Sequence, residues 1–270
     1  MDSVVAVVIF FLRYVRKPLR LVDDVSRWWY DLNARHRMST LFPEFFAPHT
    51  RLTIVLPSIR LKPSSKECHI VAYKAKDFGG IPGHVNTTKP FIRHTDALAA
   101  GVVRNLFSPW FPELSEKLDD EMMTDDYHGN VVCIGGQTNW IFRQYFYDRN
   151  MTAPLEYHLV LGQGDYFADT SKNIIWSSDD KEYSYGLICS IKNNEQPQHR
   201  ILFLSGLSHL ETIATARRLS NDILTIYRHV KRNRLLRSDF FCVAKFRRTT
   251  VPAQPLAFDS YIMGQLGTAR

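Results

Sequence analysis

NVVCIGGQTNWIFRQYFY, Asn130 to Tyr147, is the stretch that decides the fold. Val131, Val132, Cys133 and Ile134 form an apolar run rich in β-branched residues and too short for a helix, and Gly135 and Gly136 stop it. A buried strand and a glycine turn are expected. Thr138 or Asn139 then offers a short side-chain oxygen to the free N–H groups of a first helical turn. Trp140, Ile141, Phe142, Tyr145 and Phe146 give the helix that follows a broad apolar face.

The same unit recurs on both sides of this stretch. Leu52 to Leu56 reads as a strand ended by Pro57-Ser58, and Ile201 to Leu204 as a strand ended at Gly206. Ser208 precedes Glu211 at the spacing of a capping box, and Ile213, Ala216 and Leu219 form one helical stripe. Strands that each lead into a helix call for parallel pairing, because parallel neighbours need crossovers of this length. The expected fold is α/β, a Rossmann-like three-layer domain over residues 49–248 with a mostly parallel sheet. Short strands at Tyr157–Leu161, Tyr166–Ala168, Asn173–Trp176 and Tyr185–Ile191 suggest a β-meander inserted at about 155–192.

Between these elements the chain reads as follows. Ser58 to Phe91 is rich in Pro and Gly, a long excursion of the kind that forms lids or binding loops. A helix is expected from a Thr95 cap, with Leu98, Val102, Val103 and Leu106 as its buried stripe. Glu113 to Asp126 carries seven acids against Lys117 and reads as a solvated acidic helix. Asn221 or Asp222 caps a further helix through Ile223, Ile226, Tyr227 and Val230, and Phe240 to Phe246 is read as the last strand. Residues 249–270, with Pro252 and Pro255, read as a tail.

Residues 1–48 are expected to form an appendage. Val4 to Leu12 is nine apolar residues, too few for a span that needs about 20 helical residues. Leu21, Val22, Val25, Trp28, Trp29 and Leu32 recur at helical steps, so Trp28 and Trp29 are candidate anchors for a protein partner. The formal charge is +7, and its basic part is concentrated at the two ends. Arg228, Lys231, Arg232, Arg234 and Arg237 are candidate nucleic-acid contacts, although no groove-reading motif or interleaved aromatic accompanies them. The four cysteines show no paired spacing and are read as reduced thiols of a cytoplasmic chain, peripheral to a membrane at most. No metal-ligand spacing occurs, and no metal or obligatory cofactor is expected.

In open parallel sheets ligands lie outside the carboxyl ends of the strands. The candidate ligand residues are therefore Ser58, the run Gly135, Gly136, Gln137, Thr138 and Asn139, and Gly206, Ser208 and His209. Glycines there let backbone N–H groups approach an anion, and a helix N-terminus favours negative charge. A small anionic ligand is expected, a nucleotide before others, although neither G-x-G-x-x-G nor a P-loop is present. Two alternatives stay open. One is an adaptor docked through its N-terminal helix; the other is a hydrolase or N-glycosidase using His209 and Glu211, since glycosidic chemistry takes a pair of acid and base groups.

Overall fold

The computed structural model describes residues 33–47, 50–58, 92–136, 138–148, 152–160, 164–194, 196–248 and 256–266. Val4 to Leu12, Trp28, Trp29, Gln137 and the 59–91 excursion lie outside the described residues. In chain order the elements are α1 (33–41), β1 (Leu52–Leu56), α2 (His94–Phe107), β2 (Ser115–Leu118) and β3 (Asn130–Ile134). Then come α3 (Trp140–Arg143, continued by a π turn over Gln144–Asp148), β4 (Leu155–Val160), β5 (Gly164–Asp169), β6 (Ile174–Ser177) and β7 (Tyr183–Lys192). The chain closes with β8 (Arg200–Gly206), α4 (His209–Asn221), α5 (Ile223–Arg232), β9 (Phe240–Arg247) and β10 (Ala257–Gln265).

The fold is mixed α/β. Seven strands form one sheet in the order β10-β9-β7-β8-β3-β1-β2, and β4, β5 and β6 form a separate antiparallel sheet. Half of the main sheet is parallel, through β2–β1, β1–β3 and β3–β8. The other half is antiparallel, through β8–β7, β7–β9 and β9–β10. The three strands expected to pair in parallel are thus adjacent, with β3 in the middle and buried at every residue.

Alternate side chains of each strand point to opposite faces, and the two faces have different covers. Leu52, Ile54, Val132, Ile134, Leu202 and Leu204 share one apolar cluster with α1, α2, α4 and α5. Val55, Val131, Cys133, Ile201 and Phe203 face the other way, against α3 and the aromatic residues Tyr157, Phe167 and Trp176 of the small sheet. Phe142 and Phe146 stack at 4.1 Å between centroids, and both meet the Phe203 ring edge-on. Burial on both sides is why β3 and β8 read as continuous apolar runs rather than alternating ones.

Four elements differ from the sequence reading. The meander ends at β6: β7 belongs to the main sheet, where alternate residues such as Leu187 and Cys189 pack against the small sheet's side and Ile188 against the helices. Residues 249–270 are not all tail, because Ala257–Gln265 pairs along β9 as the edge strand β10. The acidic run is not a helix: Ser115–Leu118 adds to β1 in parallel register, and short 3-10 turns follow. Strand pairing with β1 outweighs the helix propensity of its Glu and Lys residues. Finally, α2 begins at His94 without a side-chain cap, and its buried stripe is Asp96, Ala99, Ala100, Val103 and Phe107, while Leu98 stays 43% exposed. Small alanines let α2 approach α4 closely, which rotates the larger Leu98 outward.

The amino ends of the parallel strands are closed by a polar clamp. Arg200, the first residue of β8, is fully buried and donates from Nε to Glu44 Oε2 at 2.8 Å and from Nη1 to Ser190 Oγ at 2.9 Å. Its Nη2 lies 3.2 Å from Asp239 Oδ1, an ion pair rather than an aligned hydrogen bond. Asn130 completes the clamp, accepting from Arg200 N at 2.8 Å and donating to Glu44 O at 2.9 Å.

Candidate functional site

The connections diverge at the carboxyl ends. β1 and β8 lead to α2 and α4 on one face, whereas β3 leads to α3 on the other, so the ends of β1, β3 and β8 surround the topological switch. The two sides of β3 are built differently.

Between β1 and β3 the protein fills the space itself. Asn139 is the cap of α3: its Oδ1 accepts from Ile141 N at 3.0 Å and Phe142 N at 3.5 Å. Its Nδ2 donates to Ile134 O at 3.0 Å and Val55 O at 3.4 Å, tying the two strand ends together. Asp119, buried just after β2, accepts from Ser58 N at 2.8 Å and from Trp140 N at 2.7 Å. With Arg143 N donating to Asn139 O, the first N–H groups of α3 are all satisfied internally. The anion seat read from Gly135 to Asn139 and Ser58 therefore holds the protein's own carboxylate. Thr138 is half-buried beside it.

Between β3 and β8 the backbone is kept close instead. Gly135 has φ of +87°, a left-handed conformation that a side chain would strain, and its N–H donates to Leu204 O at 2.9 Å. A Cβ on Gly206 would collide with Glu211 and come within 2.5 Å of Thr212 N, so glycine is what lets α4 start directly on the strand end. Ser208 caps α4 by accepting from Leu210 N at 3.2 Å, and its hydroxyl also meets the Glu211 carboxylate. Glu211 is buried and bonded to Ser208 Oγ, so it does not reach back to the backbone as a capping box would. His209 is exposed at the rim.

The residues that complete the site are ones the sequence reading did not single out. Asp96, in the first turn of α2, is 2% exposed, and its Oδ2 has no hydrogen-bond partner among the described residues. Burial pushes its pKa up to about 6, against the opposing positive charges of Arg93 and His209. Arg93 also acts on Tyr157 of β4, whose hydroxyl is buried and bonded to Asp165 and therefore hard to ionise. Tyr147 is pushed up to about 12 by burial, with Asp165 adding and Arg143 opposing. An arginine felt by Asp96 on one face and Tyr157 on the other overhangs the strand ends between them.

Chemically, this end offers cationic donors in Arg93 and His209 and a carboxyl group that changes charge just below neutral pH. Exposed Ile92, Leu98, Trp140 and Leu210 add apolar surface in or beside the first turns of the helices that start here. The signal for Asp96 was present in the sequence as helical phase: it lies in step with Ala99, Ala100, Val103 and Phe107. Arg93 and Tyr157 are 64 residues apart and carried no such signal.

Among the described residues no group of three His, Cys, Asp or Glu side chains is arranged to hold a metal ion. Cys133, Cys189 and Cys242 are free and buried, and burial raises the pKa of each thiol. Nor is any described helix long and apolar enough to cross a membrane. Arg228, Lys231, Arg232, Arg234 and Arg237 are exposed along the end of α5 and the turn after it. A cavity of about 460 Å³ opens at the opposite end of the sheet between Phe46, Arg51, Trp110 and Glu113, away from the residues described above. Compared with known proteins, the chain matches no family model, no curated protein and no solved structure.

Proposed function

We propose that this chain is a Rossmann-like, cytoplasmic binding protein for a small anionic ligand, a nucleotide in our reading, held over the carboxyl ends of β3 and β8. The observation that carries the proposal is Arg93, whose charge acts on Asp96 and Tyr157 from opposite faces of the sheet, with His209 acting on the same Asp96. Two cationic donors at a topological switch suit phosphate, and the exposed Trp140 and Leu210 supply surface for a flat apolar portion. Gly135, Gly136 and Gly206 line this side, whereas Ser58 and Asn139 support it through Asp119 and the strand ends rather than by touching a ligand.

The test is mass spectrometry of small molecules released from the denatured protein, together with a thermal-shift panel of nucleotides on the wild type and Arg93→Ala. Release of a nucleotide, or a shift lost in Arg93→Ala, supports the proposal; a clean result in both overturns it. Gly136→Val is a poorer probe, because even a Cβ there comes 2.7 Å from Ser205 Oγ and disturbs the strand ends.

A second reading draws on a separate observation. Arg228, Lys231, Arg232, Arg234 and Arg237 are exposed and in no ion pair among the described residues, which suits an adaptor that contacts nucleic acid. Binding that does not weaken with added salt, or no binding, removes it. The hydrolase reading draws less support, since Glu211 is buried and engaged by Ser208.

A further inference from the structure

Resting on the ligand reading above, we infer that Asp96 is the group that selects the ligand: it accepts a hydrogen bond from a ribose hydroxyl of a nucleotide whose phosphates rest on Arg93 and His209.

Buried carboxylates in this molecule are otherwise well supplied with donors. Asp119 takes two backbone N–H groups, Asp169 takes Ser171 N at 3.1 Å, Ser171 Oγ at 2.6 Å and Lys172 N at 3.2 Å, and Glu211 takes Ser208 Oγ. Asp96 Oδ2 is the exception: a carboxylate oxygen, 98% shielded as a residue, without a hydrogen bond among the described residues. An ionised carboxylate accepts at both oxygens, and leaving one buried and unsatisfied is costly, so the geometry points to a donor from outside the chain. Its neighbours narrow the kind of donor. Arg93 and His209 already place positive charge on Asp96, so an ammonium group would be repelled, while a neutral hydroxyl would not. A hydroxyl borne by an anion satisfies the acid and the two cations together. Ribose attached to phosphate is that combination, and an acidic side chain at the end of a parallel strand's crossover is a physically natural ribose acceptor.

Titration calorimetry on the full chain tests this with ATP, 2′-deoxy-ATP, 3′-deoxy-ATP and inorganic tripolyphosphate, repeated on Asp96→Asn, Asp96→Ala and Arg93→Ala. We expect ATP to bind and one of the deoxy analogues to bind at least about tenfold more weakly, since losing one partner of a buried hydrogen bond has that size of effect. In Asp96→Ala the ATP and deoxy-ATP affinities converge, with Asp96→Asn falling between, while Arg93→Ala weakens all four ligands alike. Circular dichroism and thermal melts of each variant establish that it is folded. If both deoxy analogues and tripolyphosphate bind as ATP does, the inference fails and the anion site stands. If ATP binding survives Asp96→Ala with its discrimination intact, the inference also fails. If none of the four ligands binds the wild type, both the inference and the ligand reading fail.

Discussion

The two ends of the parallel strands treat buried charge in opposite ways. At the amino end Arg200 is fully buried and its guanidinium is shared among Glu44, Ser190 and Asp239, with Asn130 joining the backbone of β8 to that of Glu44. At the carboxyl end Asp96 is almost as deeply buried, yet one of its oxygens has no partner among the described residues, and its cations stand at the exposed rim. A folded chain gains nothing from such a carboxylate in isolation, because burial penalises the charged form. The amino end is built to hold the sheet together; the carboxyl end keeps an unsatisfied acceptor where a ligand would enter. Strain of this kind is found where structure serves binding rather than stability.

Three measurements break or sharpen that contrast. The largest effect is expected at the amino end. Arg200→Ala leaves Glu44 and Asp239 without their cation and should cost about 3–5 kcal/mol in urea unfolding, the range for breaking a buried ion pair. A loss near zero would mean that the clamp contributes little and that the two ends do not differ as described.

The next effect has the opposite sign. The Asp96 carboxyl has a pKa of about 6 in the folded chain against an ordinary 3.8, so the folded state holds its proton longer than the unfolded state. Stability from this group is therefore fully present below about pH 4 and is lost as pH rises through about 6, by about 3 kcal/mol in total. Asp96→Asn should remove that slope and leave the protein more stable than wild type at pH 7, by an amount approaching this figure. A variant that is less stable at pH 7, or that keeps the slope, would show that Asp96 is an ordinary structural carboxylate.

The smallest effect concerns the closed side of β3. Asp119→Ala frees Ser58 N and Trp140 N and should cost about 1–3 kcal/mol, the penalty for backbone donors left without an acceptor. Added acetate or phosphate should restore part of the loss by entering the vacated seat at the N-terminus of α3. Because the wild type already fills this seat, its own melting temperature should respond less to the same anions; an equal response would mean that Asp119 does not occupy it in solution.

The fold was legible where the chain repeats a local pattern. Apolar runs ended by Pro57-Ser58, Gly135-Gly136 and Gly206 marked β1, β3 and β8, and their parallel pairing followed from the helices between them. Asn139 and Ser208 were legible as caps because capping is a matter of neighbouring residues. The pairing of β7 was not, since its four neighbours in the sequence reading were strands of the meander and only the core decides which sheet a buried strand joins. Nor was β10, whose partner β9 lies across a proline-containing connection. The acidic run shows the limit most clearly: Asp119 looks like its solvated neighbours Asp120 and Glu121 until β2 carries it to the end of β1.

By itself, then, the sequence determined the alternation of strands, glycine turns and helices, because hydrophobic period and capping chemistry act over a few residues. Tertiary structure alone decided which charges are buried and whether they are satisfied. Arg93, Asp96, Tyr157 and His209 come from four separate elements or their flanks, and only packing across the sheet brings their charges to bear on one another, which no local pattern records.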